Sequence, residues 1–211
     1  MSIEQLKKAI VDFDENADKM ADELIKKGES AEKILAAVGD VLNEVGDKYE
    51  RHEYYLAELM LCGDVAKSVI EKMLPIIKES DIKLKGKVLF GTVQGDIHDI
   101  GKTIIGSFLI GAGFDVKDLG IEVTPAQFIK AAKEFKPDII AMSTLLSTTA
   151  LHVPKIIAAL RKAGINAKIL IGGRPIDEDF AKKAGADGYG QNPTDAIKIC
   201  NTFMEEIEER S

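Results

Sequence analysis

Two residues, Asp96 and His98, sit two positions apart just beyond a short apolar run, and together they can hold a metal. A neutral imidazole ligates metals through one ring nitrogen. A carboxylate two residues away can accept the proton on the other nitrogen, fixing the tautomer and raising the basicity of the ligating atom. The pair lies in the stretch Gln94, Gly95, Asp96, Ile97, His98, Asp99, Ile100, Gly101. On its own, such a pair can also be a surface hydrogen bond in a turn. Two further stretches end in groups suited to a ligand. Ser143, Thr144, Leu145, Leu146, Ser147, Thr148 and Thr149 are rich in hydroxyls, and Gly172-Gly173-Arg174 opens with two residues that let a bulky ligand approach the backbone. The hydroxyls can equally turn the chain and cap a helix, and a Gly-Gly can be an ordinary turn.

These stretches need a frame that brings them together. From Lys87 onward the pattern alternates between strand and helix. Strands are expected at 88–93, 115–119, 139–143, 167–171 and 188–189, with helices at 99–112, 125–135, 150–163, 176–184 and 194–208. Pro125, Asp177 and Thr194 mark helix starts, while Gly113, Gly164 and Gly185 mark helix ends. Five such units predict a doubly wound, five-stranded parallel sheet of the flavodoxin-like (Rossmann-type) order, whose ligands sit beyond the carboxyl ends of the strands. All three candidate stretches fall at such ends, as does the last one, with Tyr189 and Gln191.

Residues 2–80 read as helices throughout. Ser2 with Gln5 forms a capping box, Asp14 starts a second helix ending at Gly28, and Ser30 starts a third with Ile34, Leu35, Val38, Val41, Leu42 and Val45 on one face. A fourth runs from about Tyr54 to Ile77, with Pro75 expected to bend or end it. The expectation is a four-helix bundle over 1–84 and an α/β domain over 85–211, joined by a polar linker at 79–86.

Apolar residues make up 45% and charged residues 30%, as in globular proteins. No apolar run nears the roughly 20 residues of a membrane span, and the amphipathic start lacks a secretory signal, so the expected location is cytoplasmic, with no membrane partner. Residues 1–85 hold 13 Lys and Arg against 19 Asp and Glu, which argues against nucleic acid as a partner. Cys62 and Cys200 read as small hydrophobes. His52 reads as a solvated residue in a helix–helix turn, and His152 as a capping or structural residue.

Taken in order, Asp96-x-His98-x-x-Gly101, Ser143-x-Leu145 and Gly172-Gly173 resemble the three-part signature of cobalamin-binding domains that hold the cofactor base-off. Upstream, Val45-Gly46-Asp47-Lys48-Tyr49-Glu50 and Glu53-Tyr54-Tyr55-Leu56-Ala57-Glu58-Leu59 are similar to the helical cap of methyl-carrying corrinoid proteins. The resemblance implies cobalamin as cofactor, with His98 as lower ligand to cobalt. It implies a slot for the nucleotide tail lined by Ser143, Leu145, Ser147, Gly172, Gly173 and Arg174, closed by Tyr189 and Gln191. It also implies a relay from His98 through Asp96 to Thr149, where several relatives have Ser. Tyr54, Tyr55, Leu59 and Met60 become candidates to cover the methyl-bearing face. The chain then reads as a non-autonomous methyl carrier of one-carbon metabolism. A substrate-specific methyltransferase would load it from methanol, a methylamine, a betaine or an aryl methyl ether. An acceptor methyltransferase would unload it to tetrahydrofolate or coenzyme M, and a reductive activase would rescue oxidised cobalt. Three alternatives stay open: the small subunit of a cobalamin-dependent carbon-skeleton mutase, a cobalamin-sensing regulator, and a flavodoxin-like flavin or receiver domain.

Overall fold

The structure, a computed structural model, describes residues 1–78 and 84–209. Most of the expected 79–86 linker, at 79–83, lies outside the described residues. The chain divides into two compact units, Met1–Leu84 with Ser107–Gly113, and Lys85–Gly106 with Phe114–Ser211.

The first unit is helical, built on α1 (Ile3–Val11), α2 (Ala17–Lys26), α3 (Ala31–Glu50) and α4 (Leu56–Lys78). The Ser2 hydroxyl accepts from Gln5 N–H while the Gln5 side chain accepts from Ser2 N–H, so the capping box closes in both directions. Ser30 caps α3 through Lys33 N–H. Every residue of the expected α3 stripe is buried, and α4 contributes Val69, Ile70 and Met73 to the same kind of apolar face. Leu59 is buried, whereas Tyr55 is exposed. One expectation needs correction. Asp14 does not cap α2: its carboxylate accepts from Asn16 N–H in a local turn, and Asn16 takes the cap position. α4 runs through Pro75 to Lys78, close to the expected end at Ile77. A proline inside a helix removes one intrahelical bond, the one to the carbonyl four residues earlier.

The second unit holds β1 (Lys87–Thr92), α5 (Ile100–Gly111, whose last turn belongs to the first unit), β2 (Asp115–Asp118), α6 (Pro125–Phe135), β3 (Ile139–Ser143), α7 (Ser147–Ala150), α8 (Val153–Lys162), β4 (Lys168–Gly172), α9 (Glu178–Ala184), β5 (Gly188–Gly190) and α10 (Pro193–Glu208). The five strands are all parallel and ordered β2-β1-β3-β4-β5, as the alternating pattern required. β1 and β3 are buried almost end to end, which is why they read as continuous apolar runs. Phe128 of α6 packs over Gly91, where an added Cβ would lie 2.9 Å from its ring. Ile140, Met142, Ile156, Leu160 and Ile171 continue that core under α8. Pro125 and Asp177 start their helices as expected, and Gly185 ends α9 in the left-handed conformation. Thr194 lies in the first turn of α10, as expected, and is buried there, while Asn192 caps the helix by accepting from Asp195 N–H. The single helix expected at 150–163 is two, α7 and α8, broken at Leu151 and His152. Both free cysteines are buried, and burial pushes each thiol up to about 12, leaving them unreactive.

Candidate functional site

β1 and β3 are neighbours in the sheet, so the loops leaving their carboxyl ends emerge side by side. After Thr92 the chain turns at Gly95 and reaches His98 before α5 begins. Val93 N–H donates to the Ser143 carbonyl, tying this loop to the end of β3 at 3.0 Å.

Asp96 is fully buried, and its carboxylate is saturated. Oδ1 accepts from the His98 backbone N–H at 3.0 Å and lies 2.7 Å from His98 Nδ1. Oδ2 accepts from Leu145 N–H at 2.7 Å and from the Thr149 hydroxyl at 2.9 Å, with the Thr144 hydroxyl at 3.2 Å. Burial pushes this carboxyl up, but the Leu145 and His98 amides, the His98 ring and Thr149 together outweigh it. They hold the group well below the usual carboxylate range. An ionised carboxylate only accepts, so Nδ1 of His98 carries the proton and Nε2 of the neutral ring keeps its lone pair. The His98 side chain is 45% exposed, the condition of a donor that a ligand can reach.

The Thr144 and Thr149 hydroxyls are 2.7 Å apart, and both are buried. With Thr149 donating to Asp96, Thr144 donates to Thr149, giving a chain of polarised bonds that ends on the carboxylate. Thr144 was missed by sequence reasoning. The only signal was its place immediately after Ser143, in a stretch with five hydroxyls to choose from. Removing one donor from a buried charge costs about 1.5–3 kcal/mol. Thr149→Val should therefore lose about that much stability in urea titrations, while Thr149→Ser keeps the hydroxyl and stays close to the parent.

The remaining candidates fall into two groups. Gly172 and Gly173 touch the cluster: Thr144 N–H donates to the Gly172 carbonyl, and a Cβ on Gly173 would lie 1.7 Å from the Thr144 carbonyl oxygen. Ser143 and Leu145 flank Thr144, and Ser147 opens α7, exposed. Gln94, Ile97 and Asp99 are exposed on the His98 loop, where Ile100 and Gly101 begin α5. Tyr189 pairs with Ile171 on β5 and packs on the sheet core. Burial raises its phenol, with Asp177 and Asp195 adding to the effect. Arg174 and Gln191 are exposed and form no part of the Asp96 network. His152 holds the N-cap position of α8 without a side-chain cap bond; its Nδ1 donates to the Gln94 carbonyl at 2.8 Å and braces the loop.

The donor set fits a corrinoid. One imidazole offers one bond, which suits a metal whose equatorial positions are filled by its own ring. Ile97, Leu145 and Leu146, next in sequence to the bonded groups, are 65%, 41% and 44% exposed. Covering such side chains favours binding of a broad apolar face.

A parallel sheet that presents a carboxylate-held imidazole at its carboxyl rim defines a binding domain for a metal cofactor. Two family models, both described as B12 binding domain, match residues 86–198 and 2–73. The chain is 38% identical over 201 residues to trimethylamine corrinoid protein 1 of Methanosarcina acetivorans, covering 92% of this chain and 93% of that one. It is 38% identical over 172 residues to dimethylamine corrinoid protein 1 of the same organism, covering 80% and 79%. Among solved structures, the methanol:cobalamin methyltransferase complex of Methanosarcina barkeri superposes with a TM-score of 0.81 at 26% identity, covering 96% of this chain and 79% of that one. A cobalamin-binding protein from Desulfitobacterium hafniense gives 0.74 at 29% identity, covering 96% and 98%. The chain belongs to the B12-binding methyltransferase corrinoid proteins, and its cofactor is cobalamin. Among the described residues, no helix is long and apolar enough to cross a membrane.

Proposed function

We propose that this corrinoid protein carries methyl groups from a methylated amine, delivered by a partner methyltransferase, to an acceptor such as coenzyme M or tetrahydrofolate. Bound cobalamin supplies a cobalt that takes up and releases the methyl group. The residues supply what the cofactor lacks. His98 offers Nε2 as lower ligand, because Asp96 holds the proton on Nδ1. Thr149, Thr144 and Leu145 N–H keep Asp96 ionised and fixed. Gly172 and Gly173 let backbone approach the nucleotide tail, with Ser143, Leu145 and Ser147 along its slot. Gln94, Gly95, Ile97, Asp99, Ile100 and Gly101 form the rim beneath the ring, and Arg174, Tyr189 and Gln191 complete the far wall. Residues 85–211 form the cobalamin-binding domain and residues 1–84 the helical one. The setting is the cytoplasm, with an acceptor methyltransferase and a reductive activase as further partners.

The observation that carries this reading is the 2.7 Å approach of His98 Nδ1 to a fully buried, saturated Asp96 at the rim of the sheet. The choice of amine rests on the identity to the tri- and dimethylamine corrinoid proteins. Relatives that match both halves of the chain favour a methyl carrier over a mutase small subunit, which needs no helical domain. The test loads the protein with cobalamin and offers trimethylamine, dimethylamine, monomethylamine and methanol, each with its own methyltransferase. Turnover is expected with a methylamine system and to be at least about tenfold slower with methanol, a gap of about 1.4 kcal/mol in barrier. Faster turnover with methanol would overturn the amine assignment and leave the carrier role standing.

A further inference from the structure

The bonds to Asp96 fix the His98 ring, but they do not explain what fixes the loop that carries it. Loop 93–99 leaves β1 at Thr92 and ends where α5 begins, and two independent ties meet at those ends. Thr92 is fully buried, and its hydroxyl donates to the His98 carbonyl at 3.0 Å. Thr92 N–H donates to the Gly120 carbonyl at 3.0 Å, and Gly120 N–H donates to Asp118 Oδ1 at 2.8 Å. The other oxygen of Asp118 accepts from Lys102 Nζ, in the first turn of α5. The loop after β2 also reaches the site directly, since Glu122 N–H donates to the Asp96 carbonyl at 3.1 Å.

Lys102 is only 3% exposed, whereas Asp118 is about half exposed. A lysine buried this deeply needs a paired acceptor, and a solvated surface lysine would need none. Nothing in the ligation chemistry calls for an ammonium here. Its effect is geometric: the ion pair clamps the start of α5 to the β2–α6 turn, and the same turn holds Thr92 and Asp96. His98 lies between the two anchored ends.

We infer that Lys102, through Asp118, is a positioning residue for His98, setting how far the imidazole stands from the cobalt. This rests on the lower-ligand reading proposed above. Losing an outer-shell partner of a metal-ligating histidine costs about 10–100-fold in affinity. Lys102→Met should therefore lower the association of His98 with cobalt about tenfold, and Asp118→Asn should do so less severely.

Two measurements test this. In the cofactor-free protein, hydrogen exchange of the His98 amide is read by nuclear magnetic resonance. In the cobalamin-loaded, one-electron-reduced protein, the axial-nitrogen splitting is read by electron paramagnetic resonance with isotope-labelled histidine. The expected result is faster His98 exchange and a weakened splitting in both variants, with thermal melts showing Asp118→Asn to be folded. Folded variants with parental exchange and full splitting would overturn the positioning role, even where His98→Gly abolishes the signal. If His98→Gly leaves the splitting unchanged, the lower-ligand reading fails, and the claim about cobalt fails with it. The exchange measurement would still report whether Lys102 orders the loop.

Discussion

Replacing His98 with glycine is expected to give a protein that folds, binds cobalamin weakly and transfers methyl groups at least about 100-fold more slowly than the parent, since even outer-shell partners cost 10–100-fold. The fold should survive because Asp96 keeps most of its donors. The ring contributes one bond, while the backbone N–H at position 98, Leu145 N–H and the Thr149 hydroxyl remain. A ring that is 45% exposed also buries little apolar surface. What disappears is the Nε2 lone pair of the one imidazole that Asp96 orients. Absorption spectra of the loaded variant should shift to those of cobalamin with water below the ring, and added imidazole should partly restore the parental spectrum. A variant with an unchanged spectrum would remove His98 from the cobalt.

Much of this site could be read in advance, for a specific reason. In a parallel α/β sheet, buried strands are short apolar runs and ligand loops must follow their ends. The positions of Asp96, Ser143 and Gly172 were therefore legible once β1, β3 and β4 were. Caps were legible where a short polar side chain answers a backbone amide three residues away, as at Ser2, Ser30 and Asp177. What escaped depends on contacts across sequence distance. Thr144 looked like one hydroxyl among five, and only the meeting of β1 and β3 aims it at Asp96, 48 residues away. Lys102 and Asp118 carry no local sign of pairing, because the sheet, not the spacing, brings β2 beside the start of α5.

The largest loss of stability should come from Gly173→Ala, through contacts that are all backbone. At Gly173 φ is +126°, a region that side-chain-bearing residues rarely adopt, and occupying it costs about 1–3 kcal/mol before any collision is counted. An added Cβ would also lie 1.7 Å from the Thr144 carbonyl oxygen and 2.8 Å from its carbon. Thr144 cannot retreat cheaply. Its N–H is bonded to Gly172 and its side chain to Asp96 and Thr149, so relief must part the ends of β3 and β4 and loosen Asp96 as well. The expected loss is about 4 kcal/mol or more, a magnitude seen only when a named core feature is broken. Urea titration should show it in the cofactor-free protein. Gly101→Ala is the informative contrast from the same signature. A Cβ there meets nothing within 4 Å, and in the first turn of α5 alanine is the better helix former by up to about 1 kcal/mol. That variant should be as stable as the parent or more so, yet bind cobalamin less tightly. The fold itself makes no demand for glycine at position 101, so a ligand resting against the start of α5 is what would make it. If Gly101→Ala binds cobalamin as the parent does, the start of α5 does not border the ring, and the rim beneath the cofactor must be redrawn around Gly95 and Ile97.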